Sequence, residues 1–148
     1  MTKKIAIING PNLNLLGLRE QHIYGSQSFT SYLEKLEQDF PQFSLSYYQS
    51  NVEGDLVTAI QDLGFQCDAL VINAAAYSHT SIAIPDAVTA VPAKCVGVHI
   101  SNIYQREEER HIDLLAKACD GCIFGFGLDG YRLALNYFNN YYNEQVTA

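Results

Sequence analysis

Short apolar runs alternate along this chain with segments whose apolar residues recur at helical spacing, and this alternation most restricts its fold. The run at residues 4–8 is cut by Asn9, Gly10 and Pro11, as expected where a buried strand runs into a loop. The run at residues 68–73 is almost continuously apolar, which is typical of strands buried in parallel sheets. Strands that alternate with helices form βαβ units, so the pattern predicts an α/β fold with a parallel sheet.

The complete pattern contains five strands with helices between them. Strands are predicted at residues 4–8, 43–47, 68–73, 96–100 and 121–124. Helices are predicted at residues 29–40, 53–63, 81–91, 107–118 and 128–142. Ser28 or Thr30 can cap the first helix and Pro41 ends it, while Gly64 is expected to stop the second. We therefore predict a flavodoxin-like, doubly wound, five-stranded parallel sheet with helices on both faces.

Size and charge narrow the classes of protein that the chain can belong to. Its 148 residues, 48% of them hydrophobic, are enough for one domain with a core, which we expect to span residues 1–148. The formal net charge of −7 disfavours nonspecific binding to nucleic acid or to an anionic membrane surface. No apolar run approaches the roughly 20 residues of a membrane span, and the run after Lys4 is too short for a signal peptide. The cytoplasm is the expected location.

Two of the four cysteines, Cys119 and Cys122, stand in CxxC spacing, which is compatible with zinc binding or redox chemistry. A second CxxC pair or a nearby histidine pair would favour zinc, and the sequence has neither. Cys122 lies in the apolar run at residues 121–124, as a small core residue would. We expect buried structural thiols and no metal site.

The loop after the first strand, residues 9–25, collects polar side chains at one strand end. Open α/β sheets build their sites from the loops at the carboxyl ends of their strands. A positive charge near a phenol favours the ionised phenolate, so Tyr24 close to Arg19 is a candidate base. The alternatives are asparagines, such as Asn12, that hydrogen-bond their own loop and a tyrosine that only packs.

Polar residues also follow the third and fourth predicted strands, whose carboxyl ends share one edge of a parallel sheet. They are Asn73, Tyr77, Ser78, His79, His99, Ser101 and Asn102. Arg106 and Arg110 are candidates for the positive charge that an anionic substrate would require. Alternatively, the two arginines lie on a solvated helix face and His99 is a hydrogen-bonded core histidine. Only the shared location of these residues favours a site.

Sequence blocks in a fixed order connect these residues to a known family. The two most specific blocks are NGPNLNLLG at residues 9–17 and VHISNI at residues 98–103. The other matching positions are Arg19, Tyr24-Gly25, Gln49-Ser50-Asn51, Glu53-Gly54, Asn73, residues 76–81, Asp86-Ala87, Arg106-Glu107, Arg110-His111, residues 125–127 and Gly130-Tyr131. Over nearly its whole length the chain resembles type II 3-dehydroquinate dehydratase, also called type II dehydroquinase.

The resemblance implies a single catalytic domain that reversibly dehydrates 3-dehydroquinate to 3-dehydroshikimate through an enolate, without cofactor, metal or Schiff-base lysine. Tyr24, as tyrosinate, would take a proton from the carbon beside the ketone. Arg19 would hold Tyr24 ionised and oriented. Asn12 would position a water that stabilises the enolate oxygen, and His99 would protonate the departing hydroxyl as general acid.

The resemblance also implies which residues bind the substrate. Asn73 and the backbone amides around Ile100 and Ser101 would hold the substrate carboxylate. His79 and Arg110 would bind the ring hydroxyls. The substrate-binding roles of these five residues are what the resemblance to the family implies.

Closure and assembly follow from the resemblance as well. Arg106 belongs to a segment that closes over the site as a lid and excludes water. Asp86 would reach the site of a neighbouring subunit, because the family assembles trimers into dodecamers. We therefore expect a homo-oligomer, with a small molecule as substrate.

Six positions depart from the usual residues of the family: Val52, Ala74, Pro85, Gly97, Ile112 and Asp113. The family usually has Glu where this chain has Gly97, and a carboxylate there can help organise the crevice or the nearby histidine. Pro85 could alter the subunit contact of Asp86. Asp113 adds negative charge near Arg110 and could weaken anion binding. None of the six is a primary catalytic position.

Two other functions stay open from the sequence. A catalytically silent paralogue would keep the fold and bind a small anion or a partner protein, as the departures suggest. Retention of the chemical residues disfavours it: Asn12, Arg19, Tyr24, His79, His99 and Arg110. A flavin-binding protein follows from fold analogy alone, but the first loop is rich in Asn and Leu and lacks the small residues of a phosphate cradle. We favour an active dehydratase.

Overall fold

A computed structural model describes residues 1–147, which form a parallel five-stranded sheet between two layers of helices. The strands are β1 (Lys3–Asn9), β2 (Phe43–Gln49), β3 (Ala69–Asn73), β4 (Lys94–His99) and β5 (Gly121–Phe124). Their order across the sheet is β2-β1-β3-β4-β5. The chain therefore starts near the centre, winds to one side and then to the other, which confirms the predicted doubly wound, flavodoxin-like fold.

The helices are α1 (Gln21–Tyr24), α2 (Phe29–Asp39), α3 (Glu53–Gln66), α4 (Ala83–Ala90) and α5 (Asp129–Thr147). Short 3-10 turns lie at Leu13–Leu15, Ala75–His79, Ile103–Gln105, Glu108–Arg110 and Ala116–Ala118. The Ser28 hydroxyl accepts the backbone N–H of Ser31, so Ser28 is the cap of α2. Ala148, the last residue of the predicted domain, lies outside the described residues.

The sheet is buried on both faces, which explains why its central strands are continuously apolar. Successive side chains of a strand point to opposite faces. Along β1, Ile5 and Ile7 therefore pack with α2 and α5, while Ala6 and Ile8 pack with α3 and α4. The polar residues at the carboxyl ends of the central strands emerge between these two layers.

The second predicted helix does not stop at Gly64. Helix α3 continues to Gln66, and Gly64 is buried inside it. A Cβ atom at Gly64 would lie 2.5–2.8 Å from the side chain of Val91, closer than real contacts allow. Gly64 is therefore required by the close approach of the segment after α4 and does not act as a helix stop.

The predicted helix at residues 107–118 is wrong. The segment forms two separate 3-10 turns, because its backbone groups bond elsewhere. The N–H of Leu114 donates to the carbonyl oxygen of Ser78, and the Asp113 carboxylate accepts the N–H groups of Leu115 and Ala116. Asp113 is thereby turned inward, away from the position that a continuous helix would give it.

The cysteines only partly match the expectation of buried thiols. Cys95 is buried, Cys119 is half-buried, and Cys122 is exposed on the edge strand β5, so the prediction for Cys122 is wrong. The sulfur atoms of Cys95 and Cys119 lie 3.6 Å apart. Between Met1 and Thr147, no group of three or more His, Cys, Asp or Glu side chains is arranged to hold a metal ion. No helix in this range is long and apolar enough to cross a membrane.

Candidate active site

One cleft at the carboxyl edge of the sheet brings together ten of the eleven residues for which the sequence predicted a catalytic, substrate-binding or lid role. The empty space in and above the cleft, part of which is open solvent, is about 570 Å³. The ten residues are Asn12, Arg19, Tyr24, Asn73, His79, His99, Ile100, Ser101, Arg106 and Arg110. Apolar walls that the sequence reasoning missed come from Leu13, Leu16 and Ile103. Their signal was present in the sequence as apolar residues between the polar ones of the same loops.

The phenol oxygen of Tyr24 accepts hydrogen bonds from two guanidinium groups. Arg106 Nη1 lies 2.9 Å from it and Arg19 Nη2 lies 3.3 Å from it. Both guanidinium groups also lie near the face of the Tyr24 ring, 4.6 Å from its centre for Arg19 and 5.6 Å for Arg106. Two guanidinium groups therefore donate charge-assisted hydrogen bonds to one phenol oxygen.

The two arginines are held differently. Arg19 is shared, since its Nη2 also donates to the exposed carboxylate of Glu20 at 2.8 Å. That hydrogen bond is the main reason why the pKa of Glu20 lies below its ordinary value. Arg106 has a side chain only 12% exposed, and its carbonyl oxygen accepts the Nε2–H of His111 at 2.9 Å. Of the two, Arg106 is the more enclosed and the closer partner of Tyr24.

His99, at the end of β4, is buried and bonded to Asp113, with 2.8 Å between its Nε2 and Asp113 Oδ2. Burial is the largest influence on the Asp113 carboxyl and raises its pKa. The bond from His99 and the N–H groups of Leu115 and Ala116 outweigh burial, so the pKa of Asp113 lies below its ordinary value. Asp113 is therefore an ionised carboxylate beside the histidine.

His79 stacks on His99, with ring centres 5.7 Å apart and an angle of 20° between the planes. Its Nδ1 lies 2.7 Å from the carbonyl oxygen of Ile112 and must donate to it, because a carbonyl only accepts. Burial is the main cause that lowers the pKa of His79 below its ordinary value. A neutral ring whose Nδ1 donates to Ile112 has Nε2 left as an acceptor, suited to a substrate hydroxyl.

The two asparagines of the cleft are fixed by neighbouring strand ends. Asn12 has a left-handed backbone, with φ 68°, and its N–H donates to Asn51 Oδ1 at 2.9 Å. Asn73 is buried, and its amide nitrogen donates to the Tyr131 hydroxyl at 2.9 Å. That hydroxyl donates in turn to Asn9 Oδ1 at 2.7 Å, which ties β1 and β3 to α5. The amides thus hold the ends of the central strands in register beside the cleft.

Asp86 is the predicted site residue that lies apart from the cleft. It is exposed in the first turn of α4, beside Pro85 and Thr89 and near Lys117. Within the described part of one chain, Asp86 does not reach the residues around Tyr24 and His99. A role for Asp86 in catalysis therefore requires a second subunit.

The expected consequences of Gly97 and Asp113 change with the structure. Asp113 contacts His99, whereas Arg110 Nε pairs at 2.7 Å with Glu107, so Asp113 is not the partner of Arg110. Gly97 is buried in β4, and a Cβ there would lie 3.1 Å from Cys122 Sγ. The residue that sequence reasoning missed is Asp113 as a partner of His99. An Asp two residues before Leu115 indicates a local turn, but it does not indicate the contact with His99.

The fold and the cleft define a flavodoxin-like enzyme equipped for acid–base chemistry. The family model described as dehydroquinase class II matches residues 3–139. Proteins named 3-dehydroquinate dehydratase from Aliarcobacter butzleri and Campylobacter lari are 51% and 47% identical to the chain over 134 residues. These matches cover 89% of this chain, and 82% and 84% of the respective relatives.

A solved structure agrees with these relatives. The type II dehydroquinase from Butyrivibrio crossotus has a TM-score of 0.89 and 42% sequence identity, and the match covers 93% of this chain and 97% of that one. The chain belongs to the class II dehydroquinase family.

Proposed function

We propose that this chain catalyses the reversible dehydration of 3-dehydroquinate to 3-dehydroshikimate through an enolate. The observation that carries this proposal is the phenol oxygen of Tyr24, which lies 2.9 Å from Arg106 Nη1 and 3.3 Å from Arg19 Nη2. A phenolate held by two cations can remove a proton from a carbon beside a ketone, which is the first step of this elimination.

The first step moves one proton and one electron pair. The Tyr24 phenolate takes the proton from the carbon next to the ketone, and the electrons of that C–H bond form the enolate. Asn12 holds a water that donates to the enolate oxygen, where negative charge develops. The location of Asn12 on the loop that also carries Arg19 and Tyr24 supports this role.

The second step expels the hydroxyl group. The enolate re-forms the ketone, its electrons make the new carbon–carbon double bond, and the carbon–oxygen bond on the next carbon breaks. His99 gives the proton that turns the departing hydroxyl into water. No electron is gained or lost overall, so the reaction as written needs no redox cofactor.

The remaining residues of the cleft bind the substrate. Asn73 and the backbone amides of Ile100 and Ser101 hold the carboxylate at the end of β3 and β4. His79 accepts from one ring hydroxyl through Nε2, and Arg110 donates to another. The location of all five in the cleft supports this assignment.

Closure, assembly and location complete the proposal. The segment that carries Arg106 closes over the substrate and excludes water, which strengthens the electrostatic contacts inside. Residues 1–148 act as a single catalytic domain. Trimers assemble into a dodecamer in which Asp86 reaches the site of the neighbouring subunit, and the enzyme works in the cytoplasm.

The experiment mixes purified protein with 3-dehydroquinate and follows the ultraviolet absorbance of the conjugated enone product. A steady rise that stops at equilibrium supports the proposal. A flat trace from folded protein contradicts it and favours the silent paralogue, for which calorimetric binding of 3-dehydroquinate is the discriminating measurement. The relatives named 3-dehydroquinate dehydratase do not favour that alternative.

A further inference from the structure

We propose that Asp113 is the positioning residue of His99: its carboxylate fixes the proton on Nε2 and leaves Nδ1 to exchange a proton with the substrate. This inference rests on the proposed role of His99 as general acid. It assigns a function to a carboxylate that the sequence suggested only as a disturbance of anion binding.

The contact between Asp113 and His99 is buried and short. Their side chains are 11% and 8% exposed, and the Nε2 to Oδ2 distance is 2.8 Å. An ionised carboxylate only accepts hydrogen bonds, so Nε2 must carry a hydrogen. In the neutral ring this selects the Nε2–H tautomer, whose Nδ1 can only accept a proton. In the charged ring the carboxylate stabilises the imidazolium, and the hydrogen on Nδ1 is the proton that His99 gives to the departing hydroxyl.

Asp113 is itself held in one orientation. Its Oδ1 accepts the N–H groups of Leu115 at 3.0 Å and Ala116 at 3.2 Å, while Oδ2 remains for His99. The N–H of Leu114 donates at 2.7 Å to Ser78, which docks this segment on the 3-10 turn that ends at His79. A carboxylate with one oxygen fixed by the backbone can orient a ring with its other oxygen.

No second side chain in the described part of the chain does the same for His99. Asp113 is its hydrogen-bonding partner among residues 1–147. Gly97, two residues earlier on β4, has no side chain, and the sulfur atoms of Cys122 and Cys119 lie 3.1 Å and 3.3 Å from where its Cβ would be. The carboxylate that orients the histidine therefore comes from the segment after Arg110.

The same segment fixes the second histidine of the cleft. Ile112 is exposed, but its carbonyl oxygen accepts Nδ1–H of His79 at 2.7 Å, while the next residue, Asp113, holds Nε2 of His99. Two consecutive residues thus set the proton positions of two stacked rings. The local turn explains why Oδ1 of Asp113 accepts the N–H groups of Leu115 and Ala116. It does not explain the buried hydrogen bond that Oδ2 accepts from His99.

The test compares two substitutions of Asp113. Both keep an oxygen that can accept the backbone N–H groups, but they change the hydrogen bond to His99 in different ways. Asp113→Ser keeps an oxygen able to cap the turn but is too short to reach His99. Asp113→Asn keeps the capping oxygen and can turn an amide N–H towards Nε2, which favours the other tautomer of the ring. Glu108→Gln, an exposed carboxylate of the same segment, is the matched control.

We expect kcat to fall about 10- to 100-fold in both Asp113 variants, with the larger loss in Asp113→Asn. The KM of both variants should change less than about twofold. The control keeps its kcat. Nitrogen-15 NMR of labelled histidine should show a hydrogen on Nε2 of His99 in the unsubstituted chain, both in the imidazolium and in the neutral ring. The neutral ring of Asp113→Asn should lose that hydrogen from Nε2. The NMR assignment uses His99→Gln to identify the signal.

Two results would overturn the inference. One is kcat within about twofold of the unsubstituted chain in both Asp113 variants. The other is a neutral His99 ring in the unsubstituted chain that carries its hydrogen on Nδ1. This result needs neither Asp113 variant, so it holds even if both Asp113 substitutions prevent folding. An unsubstituted chain with no activity would instead overturn the proposed function, and the NMR result would still decide whether Asp113 holds His99.

Discussion

The proposed role of Tyr24 as a base depends on the two arginines that donate hydrogen bonds to its phenol oxygen. Its nearer cation is Arg106, 82 positions along the chain, and not Arg19, which is five positions away. Sequence proximity suggested Arg19 as the group that holds Tyr24, and the resemblance suggested Arg106 as part of a lid. The structure brings both to the same oxygen, since the loop after β1 and the segment after β4 meet at one edge of the sheet.

Replacing Arg106 should therefore cost more activity than replacing Arg19. Arg106→Gln removes the closer and less exposed donor to Tyr24, and we expect kcat to fall about 100- to 1,000-fold. Arg19→Gln should cost less, because Arg19 is the more distant donor to Tyr24 and the same Nη2 binds Glu20 at 2.8 Å. The carboxylate beside Arg106, that of Glu107, lies farther away, at 3.8 Å from Nε. Steady-state kinetics of both variants measures the difference, with Arg132→Gln, whose partner is Asp39, as a control outside the cleft. The reverse order of the two losses would refute the ranking.

The ionised state of Asp113 makes a pH-dependent contribution to stability. Its pKa in the fold lies below the ordinary value of about 3.9, so the unfolded chain binds the proton more readily. The carboxylate therefore stabilises the fold above about pH 4, and this contribution is lost as pH falls through the lower, folded value.

Urea unfolding of the unsubstituted chain and of Asp113→Asn at several pH values measures this contribution. The free-energy gap between them should be present at about pH 6 and should shrink towards about pH 2. Glu108→Gln, in the same segment but exposed, should show no such gap. A gap that is constant over the whole pH range would mean that the charge of Asp113 plays no part in it.

At the scale of elements, alternation of apolar runs and helical patterns predicted all five strands and their parallel arrangement. Those signals are local, because a strand buried on both faces must be apolar throughout. The helix predicted at residues 107–118 was wrong because the structure of this segment is set by distant partners. Leu114 bonds to Ser78 and Asp113 to His99, and nothing in the local spacing reveals either contact. The same contacts explain why Asp113 was missed as part of the site.

Substitution of two glycines in α3 tests how closely this helix packs against the segment after α4. In Gly64→Ala, the new methyl would lie 2.5–2.8 Å from Val91, so α3 must shift or Val91 must repack. We expect a loss of about 1–3 kcal/mol in the free energy of unfolding. Gly54→Ala lies in the same helix with nothing within 4 Å of the new methyl, and should be neutral or stabilise by up to about 1 kcal/mol.

Urea denaturation of the two variants side by side provides the comparison. Both substitutions replace Gly by Ala within α3, so the difference between them reports mainly the contact with Val91. Equal stability of Gly64→Ala and Gly54→Ala would show that this contact is not tight.

At the scale of the whole molecule, the position of Asp86 outside the cleft agrees with a role that needs a second subunit. Ten site residues were predicted from the sequence and share one cleft, but the interface that would bring Asp86 to a site cannot be derived from one chain. The residues of a subunit contact face solvent in a single chain, as do Asp86 in α4 and Ile82 just before α4.

We expect sedimentation velocity to give a particle of about twelve times the 16.5 kDa of one chain. Asp86→Ala should lower activity without unfolding the chain, and circular dichroism checks the fold. Mixing Asp86→Ala with inactive Tyr24→Phe subunits should restore part of the activity, because some sites then receive both residues from different chains. A fully active monomer would contradict this account of Asp86.

The central claim is that Tyr24, held by two arginines, is the base of a dehydration reaction. The most direct measurement is the rate of enone formation from 3-dehydroquinate by the unsubstituted chain, Tyr24→Phe and the exposed control Tyr137→Phe, which carries the same chemical change on α5. We predict a rate about 100- to 10,000-fold lower in Tyr24→Phe and an unchanged rate in Tyr137→Phe. A Tyr24→Phe enzyme as fast as the unsubstituted chain would contradict the claim.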